Sequence, residues 1–286
     1  MNDARAERDT AAEARRAISD TLRIPLAARA LGATLFPRMA VGDARAREAL
    51  ARLGDDGRLW LEDRHSVYGV LSRTRIFRGI AAAYLARDPA GHVVNLGCGL
   101  SHYFQWLDNG RAHMTDADLP DVVAQRRELL GPPGDRNTLA GVDLCEPGWW
   151  DRLELPPTRT GAPVCLMSEG VLMYLQPAVV EAVLAEFGDR APAGSVFAFD
   201  AMCWLAAGRA RRHPSVRHTG AEFAWGPRRI ADVTRPHSRL RLAAAHKVME
   251  GYGLPYSLFG PAFRFVLGVP FYALYELHAA NAPRRD

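Results

Sequence analysis

The chain has 286 residues, 48% of them apolar and 24% charged, proportions that support a large buried core and exclude long disorder. The net charge is +4, yet Lys247 is the only lysine. Positive charge is therefore almost all arginine interleaved with acids, which gives nucleic acid no basic face and leaves Schiff-base chemistry a single candidate.

Met1 to Arg16 alternates Arg, Glu, Asp and Ala without the apolar centre of an export signal. No apolar run approaches the roughly 18–20 residues that cross a bilayer. A cytoplasmic protein with no membrane partner is expected. Residues 1–90 read as a helical cap. Asp20 or Thr21 starts a helix that meets Pro25 and continues from Ala27 to Leu35. A second spans Ala44 to Leu53 and stops at Gly54 and Gly57. From Ser66, apolar residues recur at helical spacing through Val67, Val70, Leu71, Phe77, Ile80, Tyr84 and Leu85, ending before Pro89.

The pattern then changes. Five short apolar runs predict strands at His92–Leu96, Ala112–Thr115, Thr138–Val142, Val164–Ser168 and Val196–Phe199. Helical stretches, among them Asp121–Leu130 and Ala178–Phe187, separate most of them. Strands alternating with crossover helices give a parallel, doubly wound α/β sheet. Residues 91–205 are thus expected to form a cofactor-binding core. Residues 206–238, rich in Arg and His, lack a clean period and read as an inserted lid. Residues 239–286 return to the sheet with strands at Leu240–Val248 and Phe271–His278, separated by a helix at Phe259–Leu267. The cysteines, Cys98, Cys145, Cys165 and Cys203, form no C-x-x-C pair, so neither a disulfide framework nor a metal site is expected.

The most informative stretch is His92-Val93-Val94-Asn95-Leu96-Gly97-Cys98-Gly99-Leu100-Ser101. A buried strand runs into G-x-G, where the backbone turns sharply and a cofactor can lie against bare peptide groups. His102 stands where the dinucleotide fingerprint has its third glycine, which argues against a nicotinamide cofactor. Asp116 and Asp118 follow about 20 residues later, where a carboxylate can accept both hydroxyls of a ribose. Capping the helix near Pro120 is an alternative use for Asp118 or Asp121. Asp143-Leu144 follows the third strand, at the place of an adenine edge. Glu169 follows the fourth, positioned to face a cationic group, and Arg73 offers a guanidinium fork for a carboxylate.

Together these residues resemble the leucine carboxyl methyltransferase superfamily, and within it the bacterial polyketide O-methyltransferases of the tetracenomycin type. The resemblance spans roughly Ile18 to Ala279. It is carried by Arg73-Thr74-Arg75, Val94 to Leu100, Leu107-Asp108-Asn109-Gly110-Arg111, Asp116-Ala117-Asp118-Leu119-Pro120, Glu169 to Tyr174, and Phe223-Ala224-Trp225-Gly226. It implies a class I methyltransferase fold, Rossmann-like, with seven strands of which the last is antiparallel, and S-adenosylmethionine as cofactor. By position it assigns cofactor binding to Arg73, Gly97, Gly99, Asp118, Asp143, Leu144 and Glu169, and adds Tyr174 to the site. One departure stands out: family members usually continue the glycine turn with Asp-Thr-Arg, whereas this chain has Ser101-His102-Tyr103.

The expected reaction is O-methyl transfer to a carboxyl or hydroxyl group of a small secondary metabolite. A hydroxyl acceptor needs a general base, and His102, beside the cofactor turn, is the first candidate, with Tyr174 as its companion and His213 and His218 in the lid behind it. Arg211, Arg212, Arg228 and Arg229 could hold an anionic acceptor. The altered stretch beside the turn also motivates a rival: cyclisation of the cofactor's own aminobutyrate chain with release of methylthioadenosine. A non-catalytic cofactor-binding scaffold is the third reading. Nothing in the sequence specifies the acceptor or an oligomeric state.

Overall fold

The computed structural model describes residues 22–157, 161–210, 213–216 and 219–281. The start signal at Asp20 or Thr21, together with Arg211, Arg212 and His218, lies outside the described residues. No described helix is long and apolar enough to cross a membrane.

Seven strands form one sheet: β1 (His92–Leu96), β2 (His113–Asp118), β3 (Asn137–Gly141), β4 (Val164–Ser168), β5 (Val196–Met202), β6 (Leu240–Lys247) and β7 (Tyr272–Ala279). Their order is β3-β2-β1-β4-β5-β7-β6, and β7 runs antiparallel to both of its neighbours. The central strands β1 and β4 are buried almost throughout, as strands covered on both faces by helices must be. β2 differs most from its sequence reading, extending three residues further, through Asp118. Only Met114 in it is a large apolar residue. Its polar atoms are satisfied from neighbouring elements instead, so it carries little hydrophobic signal.

Among the described residues, six helices of nine residues or more flank the sheet: α1 (Arg23–Leu31), α2 (Ala44–Arg52), α3 (Arg64–Arg87), α4 (Pro120–Leu130), α5 (Pro177–Arg190) and α6 (Tyr256–Leu267). α1 takes Pro25 into its first turn, where the missing N–H is not needed, and ends at Leu31, short of the expected Leu35. Behind the glycine turn the chain makes only the single helical turn Phe104–Leu107. α3 is the longest at 24 residues. Asp63 caps it, accepting the Ser66 N–H at 3.2 Å.

Beneath the glycine turn lies a buried ion pair. Arg126 of α4 meets Asp116 of β2 at 2.7 Å and also donates to the carbonyls of Gly99, at 3.0 Å, and of Ser101. Asn95 of β1 donates to the other Asp116 oxygen at 3.1 Å. Asp116 is therefore the acid that supports the turn from below. Removing one partner of such a pair strands a buried charge. Asp116→Ala is expected to lower stability in urea by about 3–5 kcal/mol, measured as a fall in the unfolding midpoint at unchanged slope.

Candidate active site

A cavity of about 490 Å³ opens at the carboxyl ends of the central strands, the usual ligand position in a doubly wound sheet. Gly97 has φ +68°, and a Cβ there would stand 2.2 Å from Cγ2 of Val171. No side chain fits between the turn and the loop after β4. Asp118 ends β2 with both oxygens engaged, accepting from Gly99 N–H at 2.7 Å and Leu119 N–H at 2.8 Å, and it also faces the cavity. Burial pushes its carboxyl up to about 6, against those hydrogen bonds. Beyond it Leu119, Val122, Val142 and Leu144 make an apolar wall next to Asp143.

At the opposite end, Arg73 of α3 is held from several sides. Its Nε donates to Glu169 Oε1 at 2.8 Å. Its Nη1 donates to Asp200 Oδ2 at 3.2 Å and to the Tyr272 hydroxyl at 3.0 Å. The Tyr272 hydroxyl donates to Asp200 Oδ2 at 2.5 Å, and Gly170 N–H donates to the other Asp200 oxygen at 2.6 Å. The guanidinium lies against Gly170, where φ is +70° and a Cβ would come within 3.1 Å of it. Tyr103 donates to Glu169 Oε2 at 2.6 Å. Burial raises the Glu169 carboxyl, but Arg73, Arg29 and the Tyr103 hydroxyl outweigh it and hold the group below its ordinary range. For Asp200 burial wins and the carboxyl moves up.

The parts fit S-adenosylmethionine. The turn at Gly97 would take a ribose against its backbone, and Asp118 would accept the hydroxyls. The apolar wall accommodates a purine. Arg73 and Glu169 would take the carboxylate and ammonium of an amino acid.

Of the residues singled out by sequence, Arg73, Gly97, Asp118, Asp143, Leu144, Glu169 and Tyr174 line one cavity. Gly99 sits behind Asp118. His102 is placed elsewhere: its Nδ1 lies 3.3 Å from Arg126 Nη2, and burial with that arginine lowers its pKa. His213 lines the cavity, its Nδ1 accepting from Val216 N–H at 3.4 Å and its ring packed edge-on to Phe223. Arg228 stacks over Trp204, and neither it nor Arg229 lines the cavity. Sequence reasoning missed Arg29, Asp200 and Tyr272. Asp200 was detectable, being the acid that ends the last apolar run of the parallel core, but Tyr272 arrives only through the pairing of β7 with β5.

Ribose hydroxyls donate to an ionised carboxylate, so affinity for S-adenosylhomocysteine should be level above pH 7 and fall by about tenfold per unit well below the Asp118 pKa. Calorimetry across pH 5–8 checks this, and Asp118→Asn is expected to abolish the dependence.

A candidate methyltransferase from Thermobifida fusca YX shares the fold with TM-score 0.58, at 16% identity over 91% of this chain and 94% of that one. Magnesium protoporphyrin IX methyltransferase from Synechocystis PCC 6803, solved with S-adenosylhomocysteine, aligns over 83% of this chain and 95% of that one at 12% identity, with TM-score 0.49. A search of curated proteins returns no match. The leucine carboxyl methyltransferase family model matches residues 1–188. The chain belongs to the leucine carboxyl methyltransferase family and is an S-adenosylmethionine-dependent methyltransferase.

Proposed function

We propose that this enzyme methylates an oxygen, carboxyl or hydroxyl, of a small secondary metabolite in the cytoplasm, with residues 206–238 acting as a lid over the acceptor. The carrying observation is the continuity of the cavity. One face of α3, with Ser66, Gly69, Val70 and Arg73 at helical spacing, lines it from end to end. Past Arg73 the walls become apolar and aromatic, with Met173, Tyr174, Phe223, Tyr256 and Phe271. Such a chamber suits a small organic molecule. Ser215 donates to Asp63 Oδ2 at 2.8 Å, tying the lid to the first turn of α3.

Bound cofactor supplies an electrophilic methyl group; the protein aligns the acceptor and excludes water. Arg73 and Glu169 orient one end, Asp118 the middle, and the aromatic walls close the site from solvent. A carboxylate acceptor requires no proton removal. For a hydroxyl acceptor His213 is better placed than His102, because it faces the cavity and burial keeps it neutral, Asp63 opposing that shift.

Incubation with methyl-labelled cofactor, with and without a panel of aromatic carboxylates and phenols, tests this. Label should pass to product only when an acceptor is present, with S-adenosylhomocysteine as co-product. Methylthioadenosine and a cyclic amino acid formed from cofactor alone would replace the proposal with the cyclase reading. His213→Ala is expected to cut transfer to a phenol by about 10²-fold and to leave transfer to a carboxylate within a few-fold.

A further inference from the structure

The charges around Arg73 do not balance. Arg29 pairs with Asp43 at 3.0 Å and approaches Glu169 at 3.9 Å; Arg73 pairs with Glu169 at 2.8 Å and Asp200 at 3.2 Å. All five side chains are nearly or fully enclosed, none more than 13% exposed. Three carboxylates thus face two guanidinium groups, an excess of one negative charge. Hydrogen bonding supports ionised acids: Asp200 receives from Tyr272, Gly170 and Arg73, and Glu169 receives from Arg73 and Tyr103, with donors on every side. The described cavity lining extends the imbalance, since Asp63 and Asp118 join Glu169 while Arg73 is its one arginine or lysine.

An enclosed excess charge is costly until something of opposite sign enters. Resting on the cofactor site described above, we infer that Asp200 makes this pocket select the positively charged sulfonium form of its ligand over the neutral thioether product. S-adenosylmethionine carries one more positive charge than S-adenosylhomocysteine, and the two are otherwise nearly the same shape. A fixed negative surplus therefore favours the first and loosens the second once the methyl group has left. Attraction of this kind is strong in a water-poor pocket and little screened by salt. Asp200 acts here as a specificity residue, reaching the ligand through the field of the cluster. Tyr272 fixes the geometry without contributing charge.

Calorimetric titration with S-adenosylmethionine, with sinefungin as a cationic analogue that cannot transfer a methyl group, and with S-adenosylhomocysteine decides the matter. In the wild type both cationic ligands should bind at least about tenfold more tightly than the thioether, ~1.4 kcal/mol. Asp200→Asn should shrink that ratio towards one by weakening the cationic ligands, leaving the thioether within about threefold. Tyr272→Phe loses hydrogen bonds with no change of charge and should weaken all three alike. Equal wild-type affinity for cationic and neutral ligands would overturn the inference with no variant required. So would an Asp200→Asn protein that loses all three equally. Failure of every ligand to bind the wild type would instead strike at the cofactor site itself.

Discussion

The guanidinium of Arg73 is the point on which the site depends. It joins α3 to the loop after β4 through Glu169, to β5 through Asp200, and to β7 through Tyr272. Those elements come from four separate parts of the chain, and burial of an arginine among them is tolerable because its Nε and Nη1 are met by two acids and a tyrosine. Gly170 belongs to the same requirement, because its φ of +70° disfavours any side chain and a Cβ there would press to 3.1 Å on the guanidinium. Once Arg73 is fixed, the helix that carries it sets where the opposite end of the cavity lies, and Asp63 at that helix's first turn fixes the lid through Ser215.

Much of this was legible in the sequence where one physical signal dominated. β1 and β4 announced themselves because strands buried on both faces are built mostly of apolar residues. The turn at Gly97 was legible because positive φ and close packing against Val171 leave only glycine. β2 was read short because its buried side chains are polar, and their partners, Asn95, Arg126 and Asn137, come from elsewhere in the fold. His102 illustrates the reverse error. Adjacency to the cofactor turn suggested a catalytic base, but backbone direction after Ser101 sends the imidazole towards Arg126. Proximity in sequence says nothing about which way a side chain points.

The departure at Ser101-His102-Tyr103 acquires a physical account. Ser101 donates to the Cys98 carbonyl at 2.7 Å and receives from Asn95 at 3.1 Å, closing the turn on itself. Tyr103, fully buried, reaches Glu169 with a neutral hydroxyl. That hydroxyl satisfies a Glu169 oxygen while bringing no charge, so the acid's electrostatic balance is left to Arg73 and Arg29. A change that looks like erosion of a motif is thus compatible with an intact, differently charged pocket.

The placement of Tyr272 bears on how the protein matures. The strand that delivers it inserts between β5 and β6 from the far end of the chain. Until β7 pairs with β5, Asp200 lacks its tyrosine partner. The pocket is finished only once that strand is in place. Chains that stop short of β7 carry most of the recognisable motifs and a buried carboxylate missing one of its hydrogen-bond donors, which costs stability.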